Sequence, residues 1–186
     1  MATHRHLLLI GGARSGKSRL AIDLAETWIE PVTYVATATA GDDDMAARIR
    51  RHQHERPSQW TTVEAATDLD VAVEAIDADQ AVVVDCITMW TANEMLGGRP
   101  ADEIVEAARR LGAALRTRPT PVVVVTNEVG SGVVPATVSG RDYRDLLGRV
   151  NHCLARALDE TMLVVGGMVT RLESPHVAFP ELDEPT

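Results

Sequence analysis

Aromatic residues are scarce in this chain, at 3 % of 186 residues, although hydrophobic residues of all kinds reach 45 %. A folded core is therefore expected, built mainly from valine, leucine, isoleucine and alanine. The length suits a single domain, which we expect to span residues 1–172. Residues 173–186 are acidic and carry prolines, a composition typical of a flexible tail.

Basic residues are outnumbered, with 18 Lys and Arg against 27 Asp and Glu, and the formal net charge is −9. A general nucleic-acid binder, or a protein that binds anionic membranes, needs a surplus of positive charge. The balance argues against both classes. Any anionic ligand must therefore be held by a local site.

Cysteines and long apolar runs are also lacking. The two cysteines, Cys86 and Cys153, form no C-x-x-C pair, so we expect buried free thiols rather than a zinc site or a disulfide framework. The apolar run near the N-terminus is too short for a signal peptide, and no run has the length of a membrane-spanning helix. A cytoplasmic protein without a membrane span is the expectation.

Short valine-rich runs alternate with segments of helical periodicity along the chain. Runs that are apolar on both faces are typical of central strands in a parallel sheet covered by helices. The predicted strands are 6–10, 32–37, 81–85, 121–126 and 161–166. The predicted helices are 17–29, 43–56, 67–77, 101–117 and 141–160. This alternation predicts an α/β fold, an open and mostly parallel sheet with helices on both faces, whose ligands lie beyond the carboxyl ends of the strands.

The segment GGARSGKS at 11–18 matches the phosphate-loop pattern G-x-x-x-x-G-K-[ST], with a predicted strand before it and a predicted helix after it. Two glycines allow the tight turn that points backbone N–H groups at phosphate oxygens, and the following helix adds its dipole. Lys17 is expected to reach the outer phosphates and Ser18 to bind Mg²⁺. The predicted phosphate contacts are Gly11, Gly12, Ala13, Arg14, Ser15, Gly16, Lys17 and Ser18.

Polar residues follow two of the other predicted strands. Asp85 ends an apolar strand at the ligand edge, where its carboxylate can hold Mg²⁺ through water or, alternatively, cap the next helix. Thr126, Asn127 and Glu128 leave the strand 121–126 in succession. They either line the same edge or bond to their own backbone.

The segment RIRRHQHERPSQW at 48–60 concentrates histidine and arginine in an otherwise acidic chain. On a helix with 3.6 residues per turn, Met45 and Ile49 define an apolar side, and Arg48, His52 and Arg56 form a stripe beside it.

His54 and Arg50 fall on the opposite, solvated side, so the spacing favours His52 over His54 as a functional residue. A neutral imidazole is a competent nucleophile toward phosphorus, and flanking arginines stabilise the phosphate under attack. The alternative is a solvated basic helix face with an incidental histidine.

Six segments occur in a characteristic order: GGARSGKSRLA, YVATA, DDDMAARIRRHQHERPSQWTTVE, VVVDCIT, VTNEVGSGVVP and YRDLLGRVNHCLA. Together they resemble the adenosylcobinamide kinase / adenosylcobinamide-phosphate guanylyltransferase family of cobalamin biosynthesis, from about residue 7 to about residue 172. The most specific parts are M-x-x-R-I-x-x-H-x-x-x-R-P-x-x-W-x-T-x-E and T-N-E-V-G-x-G-x-V-P. Tyr143 departs mildly from the pattern, because phenylalanine is expected there.

The resemblance implies a P-loop NTPase-like (RecA-like) fold and two activities. One phosphorylates adenosylcobinamide with ATP or GTP. The other transfers GMP from GTP to the new phosphate, releasing pyrophosphate and giving adenosylcobinamide-GDP, through a GMP–histidine intermediate at His52. Two other readings stay open: a single-activity P-loop kinase of a small molecule, and a non-enzymatic nucleotide switch.

Mg²⁺ with Ser18 and Asp85 as its ligands is expected from the phosphate loop and the strand end, and the acidic charge balance predicts no nucleic-acid partner. The resemblance further implies a homotrimer. Glu64 and Asp85 are expected to contact the guanosine portion or the metal. The nucleotide contacts that it implies outside the phosphate loop are Ala36, Thr37, Ala38, Gln53, His54, Glu55, Arg56, Glu64 and Asp85.

Overall fold

A computed structural model describes residues 6–41 and 43–180, except for the side chains of residues 43–45 and 48. Within this part of the chain, seven strands form one sheet in the order β3-β2-β4-β5-β1-β6-β7. The strands are β1 His6–Gly11, β2 Val32–Ala36, β3 Thr61–Glu64, β4 Ala81–Asp85, β5 Val122–Asn127, β6 Glu160–Val165 and β7 Met168–Leu172. All neighbours are parallel except β6 and β7. The predicted open, mostly parallel α/β sheet is confirmed.

Helices connect the strands and cover both faces of the sheet. Their bounds are α1 Lys17–Ala25, α2 Asp43–His54, α3 Leu69–Glu74, α4 Ile87–Leu96, α5 Ala101–Arg116, α6 Val138–Ala157 and α7 Pro175–Ala178. The longest of them, α6, begins three residues before its predicted start. There the hydroxyl of Thr137 accepts a hydrogen bond from the Gly140 N–H at 3.1 Å and caps the helix.

Two strands were not predicted from the sequence, because they lack the pattern of a buried strand. β3 pairs only with β2, and three of its four side chains are exposed. All five side chains of β7 are exposed at the other edge of the sheet. Edge strands of this kind are held by backbone pairing rather than by apolar burial, so hydrophobic periodicity does not detect them.

The core consists of two apolar layers, one on each face of the sheet. Val82 and Val84 of β4 pack in the layer under α5 and α6, whereas Val83 between them packs in the layer under α1. This alternation follows from the two-residue period of a strand. The core is mostly aliphatic, yet its largest fully buried side chains are Trp90 and Tyr34.

Burial was expected for the two cysteines, but both are half-buried. No helix in the described part of the chain is long and apolar enough to cross a membrane. The acidic C-terminal segment begins with the short, exposed helix α7. Residues 181–186 of the predicted tail lie outside the described residues.

Strand pairing brings four strand ends to one edge of the sheet. Gly11 at the end of β1 is in register with Asn127 at the end of β5. Ala36 at the end of β2 is in register with Asp85 at the end of β4. The phosphate loop, the acidic strand end and the polar strand end predicted from the sequence therefore share one edge.

Candidate active site

The phosphate loop has a conformation that two of its glycines make possible. A Cβ on Gly11 would lie 2.1 Å from the carbonyl oxygen of Val164 in β6. Gly16 has φ +100°, in the left-handed region that favours glycine, and caps the start of α1. The Gly167 N–H, in the turn between β6 and β7, donates to the Ser15 carbonyl at 3.0 Å. The loop is therefore supported from the side by that turn.

The phosphate-loop lysine is held inside the loop. Lys17 is 5 % exposed, and its ammonium donates to the carbonyls of Gly11 at 2.9 Å and Gly12 at 2.7 Å and to the Ser15 hydroxyl at 3.2 Å. A buried ammonium is costly unless it is well hydrogen-bonded. These contacts keep its charge at the mouth of the loop, where phosphate oxygens are expected.

Asp85 does not cap α4, so that alternative is wrong. The N-cap position belongs to Cys86, and no side chain makes a cap hydrogen bond there. Instead, the Tyr34 hydroxyl donates to Asp85 Oδ2 at 2.7 Å. Burial, and then the neighbouring Asp85 charge, raise the pKa of Tyr34 above its ordinary value, so the phenol remains a proton donor.

Only one of the three polar residues that end β5 faces the cleft. Thr126 is fully buried, and its hydroxyl donates to the Asn151 side-chain oxygen at 2.7 Å. The Glu128 carboxylate accepts hydrogen bonds from the backbone N–H groups of Gly130 and Ser131. Glu128 thus follows the alternative of bonding to its own loop, whereas Thr126 follows neither alternative, since its partner is a side chain of α6.

Asn127 is clamped through its backbone. Its N–H donates to the Thr88 hydroxyl at 2.7 Å, and its carbonyl accepts from the Asn151 side-chain amide at 3.0 Å. Its own side chain makes no hydrogen bond to the described residues and lines the cleft. The carboxamide therefore keeps its hydrogen-bonding capacity for a ligand.

Helix α2 places one of its histidines in the cleft and the other outside it. The side chain of His52 is 20 % exposed, and its Nδ1 lies 4.0 Å from Glu55 Oε2. His54 is exposed, and its Nδ1 lies 2.6 Å from the Arg50 carbonyl oxygen. This placement agrees with the spacing argument, which set His52 apart from His54.

The stripe predicted beside Ile49 is described only in part. The side chains of Met45 and Arg48 lie outside the described ones. Arg56 is half-buried, and its guanidinium carbon lies 3.7 Å from the centroid of the Tyr34 ring, a cation–π contact.

Two adjoining cavities meet at these residues. The phosphate-loop cavity, of about 270 Å³, is lined by residues of the loop and of α2, among them Lys17, Arg51 and Glu55. The β2 cavity, of about 100 Å³, is lined by residues from β2 to β4, among them Tyr34 and Glu64. Five residues line both cavities: Ser18, His52, Asp85, Cys86 and Asn127.

Most of the predicted nucleotide contacts border one of the two cavities. Arg14, Ser15, Gly16, Lys17, Ser18 and Glu55 line the phosphate-loop cavity, and Ala36, Ala38, Gln53, Arg56 and Glu64 line the β2 cavity. Gly11, Gly12, Ala13, Thr37 and His54 line neither cavity. Thr37 is fully buried, and its hydroxyl donates to the Cys86 carbonyl at 2.7 Å. Contact of any of the predicted residues with a nucleotide stays a prediction.

Tyr34, Met89 and Arg51 line the cavities but were not singled out from the sequence. A hydroxyl inside the apolar run VTYVA was the available signal for Tyr34, because a buried phenol needs a partner. Arg51 offered no signal, since it falls among several arginines of similar spacing. Gly167 lies far from the loop in sequence, and only strand pairing brings it near.

Comparison with known proteins supports the resemblance. Residues 7–172 match the family described as cobinamide kinase / cobinamide phosphate guanyltransferase. The bifunctional adenosylcobalamin biosynthesis protein CobU of Salmonella typhimurium is 41 % identical over 180 residues, covering 90 % of this chain and 99 % of that protein. The protein of the same description from Escherichia coli K12 is 40 % identical, with the same coverage. The bifunctional adenosylcobalamin biosynthesis protein CobP of Pseudomonas aeruginosa is 36 % identical over 162 residues, covering 87 % and 93 %.

Solved structures support the fold alone. A prototypical ATPase of a bacterial type III secretion system has a TM-score of 0.56 at 11 % identity, covering 94 % of this chain and 60 % of that one. A protein of Pyrococcus horikoshii OT3 has a TM-score of 0.54 at 7 % identity, covering 92 % and 87 %. The fold is thus P-loop NTPase-like. By sequence, the chain belongs to the cobinamide kinase / cobinamide phosphate guanyltransferase family and is a bifunctional kinase and guanylyltransferase.

Proposed function

We propose that this protein phosphorylates adenosylcobinamide with ATP or GTP, and then transfers GMP from GTP to adenosylcobinamide phosphate through a GMP–histidine intermediate at His52. The product is adenosylcobinamide-GDP. The observation that carries this proposal is the position of His52, whose side chain lines both the phosphate-loop cavity and the β2 cavity. A nucleophile placed there can receive GMP from a nucleotide on the phosphate loop and pass it to an acceptor.

The guanylyl step is a double displacement. A nitrogen of the neutral imidazole attacks the α-phosphorus of GTP, the bond to the bridging oxygen breaks, and pyrophosphate leaves. An oxygen of adenosylcobinamide phosphate then attacks the same phosphorus, and the N–P bond breaks. The Nδ1 atom of His52 faces the Glu55 carboxylate, which leaves Nε2 for the attack.

Positive charge for both steps comes from the surrounding side chains. Lys17 and Arg51 line the phosphate-loop cavity, and Arg56 lines the β2 cavity. In a cleft of low dielectric constant, such charges stabilise the negative charge that develops on phosphate oxygens. The kinase step uses the same loop, with the aminopropanol hydroxyl of adenosylcobinamide attacking the γ-phosphorus.

The residues present fit a magnesium ion carried in with the nucleotide. Ser18 and Asp85 supply oxygen ligands on the shared wall of the two cavities. Among the described residues, no three His, Cys, Asp or Glu side chains group into a metal site. Mg²⁺ binds through one or two protein oxygens, which Ser18 and Asp85 could supply, together with phosphates and water. When bound, the ion neutralises charge on the transferring phosphate.

The homotrimer implied by the resemblance is also proposed. Its support is the hairpin of β6 and β7 at the edge of the sheet, where Val165, Met168 and Val169 are exposed. Exposed apolar side chains beside an unpaired strand edge are suited to contact between copies. A cytoplasmic location stays a prediction.

The decisive experiment is self-labelling. The purified protein is incubated with Mg²⁺ and GTP labelled at the α-phosphate, without corrinoid, and then denatured. We expect a label on the chain that is acid-labile and alkali-stable, as a phosphoramidate is. His52→Ala is expected to abolish it while the protein stays folded, and the matched control His152→Ala, at an exposed histidine of α6 outside both cavities, is expected to retain it.

The other readings give different results in the same assay. A single-activity kinase consumes nucleotide when the acceptor is present but never labels itself. A nucleotide switch binds GTP and hydrolyses it slowly without an acceptor. Protein that binds GTP but acquires no label would therefore overturn the GMP–histidine intermediate.

A further inference from the structure

Tyr34 is a buried strand residue whose side chain contacts three parts of the cleft. It is 1 % exposed. Its hydroxyl donates to Asp85 Oδ2 at 2.7 Å, and its ring lies 3.7 Å from the guanidinium carbon of Arg56. The ring of Trp60 stacks beside it, with centroids 6.5 Å apart and planes inclined by 24°. These partners come from the end of β4, from the turn after α2 and from the residue just before β3.

The described side chains of helix α2, which exclude residues 43–45 and 48, give it little anchorage. None of its described side chains is fully buried, whereas α1, α5 and α6 each bury several. Burial of an apolar face normally fixes a helix on a sheet. Among the described residues, the segment that follows α2 therefore contributes to its position over the phosphate loop, and Arg56 and Trp60 attach this segment to Tyr34.

An alternative explanation is that Tyr34 is only a core aromatic residue. Phenylalanine would fill the same space without the need to satisfy a buried hydroxyl, which is costly when unpaired. Here the hydroxyl donates a hydrogen bond to Asp85, a residue that lines both cavities. Arg56 Nε is buried and makes no hydrogen bond within the described part of the chain, so the ring is a main support of that guanidinium.

We propose that Tyr34 is a positioning residue for the transfer reactions. Its ring holds Arg56, and through it the segment that carries His52, over the phosphate loop, while its hydroxyl fixes the orientation of the Asp85 carboxylate. The part that concerns His52 rests on the proposed function. Tyr34 itself touches no reacting atom.

The test compares two tyrosine variants. Tyr34→Phe keeps the ring and removes the hydroxyl, and Tyr143→Phe is the matched control. The side chain of Tyr143 is half-buried, whereas that of Tyr34 is buried, and the Tyr143 hydroxyl donates to a backbone carbonyl, that of Thr88, at 3.0 Å. Each variant loses one phenol hydrogen bond, so each is expected to have a lower melting temperature, with the larger decrease for Tyr34→Phe because its acceptor is a carboxylate.

The readouts are the single-turnover rate of labelling from GTP and the GTP concentration for half-maximal labelling. For Tyr34→Phe we expect the rate to fall about tenfold, as for loss of one hydrogen bond to a charged group, with little change in the half-maximal concentration. For Tyr143→Phe we expect both values to stay at those of the wild type. A merely structural Tyr34 predicts that the two variants behave alike, and labelling by Tyr34→Phe within twofold of the wild-type rate would overturn the proposal.

A second comparison tests the ring. Tyr34→Leu is expected to lower the labelling rate more than Tyr34→Phe does, and to add little in an Arg56→Ala background, because interacting residues are not additive. Independent, multiplicative effects of the two substitutions would overturn the role of the ring. If Tyr34→Leu does not fold, Tyr34→Phe against Tyr143→Phe decides the proposal alone.

Failure of the proposed function is distinguishable from failure of this inference. Absence of label on the wild-type protein would refute the intermediate at His52. The role of Tyr34 is then tested by the rate of phosphoryl transfer from ATP to adenosylcobinamide. Under the proposal this step requires Asp85 but not His52. Tyr34→Phe is expected to slow that step about tenfold, as above, and an unchanged rate would overturn the positioning role.

Discussion

At the scale of single residues, the geometry of the cleft depends on hydrogen bonds that fix the backbone of the residues lining it. Asn127 is the clearest case, because Thr88 and Asn151 bind both its backbone polar groups. Its carboxamide thereby lines the phosphate-loop cavity and makes no hydrogen bond of its own to the described residues. Preorganised donors of this kind stabilise developing charge at little reorganisation cost.

Asn127→Ala is expected to lower kcat/KM for nucleotide about tenfold or more, because a hydrogen bond to a charged oxygen contributes about 1.5–3 kcal/mol. Steady-state turnover with the acceptor measures this. Glu128→Gln is the control, since the Glu128 carboxylate bonds within its own loop and an amide oxygen still accepts there. Turnover by Asn127→Ala at the wild-type level would show that the side chain has no part in the reaction.

Two neighbouring glycines of the phosphate loop offer a second test at this scale. A Cβ at Gly11 meets the Val164 carbonyl oxygen at 2.1 Å, whereas a Cβ at Gly12 has no neighbour within 4 Å. Gly11→Ala is expected to lower the free energy of unfolding by about 1–3 kcal/mol and to weaken nucleotide binding, because backbone must move. Gly12→Ala is expected to change the free energy by less than about 0.5 kcal/mol. Urea unfolding and nucleotide titration measure both, and equal stability of the two variants would contradict the expected clash.

At the scale of helices and strands, the site lies between elements that differ in how much apolar surface they bury. The phosphate loop lies between a buried strand and a well-packed helix, and the turn between β6 and β7 supports it. Helix α2 lies on the other side of the cleft with no fully buried described side chain. Elements with little apolar burial have low local stability, so the chemistry of His52 depends on contacts outside its own helix.

Helix α6 supplies a prediction about element ends. Its N-cap is Thr137, which follows the glycine-bearing loop after β5, and the helix carries Asn151. Thr137→Ala is expected to reduce the free energy of unfolding by about 1 kcal/mol, because the Gly140 N–H loses its acceptor. Thr137→Ser keeps the hydroxyl and is expected to stay close to the wild type. Chemical denaturation of the three proteins decides this, and equal losses for Ala and Ser would show that the cap does not matter.

At the scale of the whole molecule, a chain of net charge −9 binds a highly anionic substrate. Positive side chains are therefore grouped at one edge of the sheet, where Lys17, Arg51 and Arg56 surround the two cavities. At another edge, the hairpin of β6 and β7 exposes apolar side chains. The same hairpin supports the phosphate loop through Gly167, so contact between copies at this edge would also restrain the nucleotide site.

The proposed trimer gives a prediction at this scale. Val169→Lys puts a charge on the outer strand, where burial against another copy would be costly, and is expected to shift the trimer to monomers. Ile29→Lys, at a 96 % exposed apolar side chain outside the hairpin, is the control and is expected to stay trimeric. Light scattering after size exclusion measures the mass. A Val169→Lys protein that remains trimeric would place the contact elsewhere.

Much of the fold and part of the site could be predicted from local patterns. Five strands were recognisable because each is a mainly apolar run, four of them largely buried and β6 mostly half-buried. The two edge strands β3 and β7 are exposed and carry no such pattern. His52 could be separated from His54 because helical spacing decides which side of α2 a residue occupies. Thr126, Asn127 and Glu128 could not be separated, since that depends on Asn151 and on the loop that follows.

The sequence by itself determined the phosphate loop, the parallel sheet and the family, because these follow from spacing and periodicity over short stretches. Tertiary structure alone decided that Asp85 meets Tyr34, that Gly11 must leave room for Val164, and that Gly167 supports Ser15. The reason is physical. Each of these contacts joins residues far apart in the chain, and strand order and register, which no local pattern specifies, bring them within bonding distance.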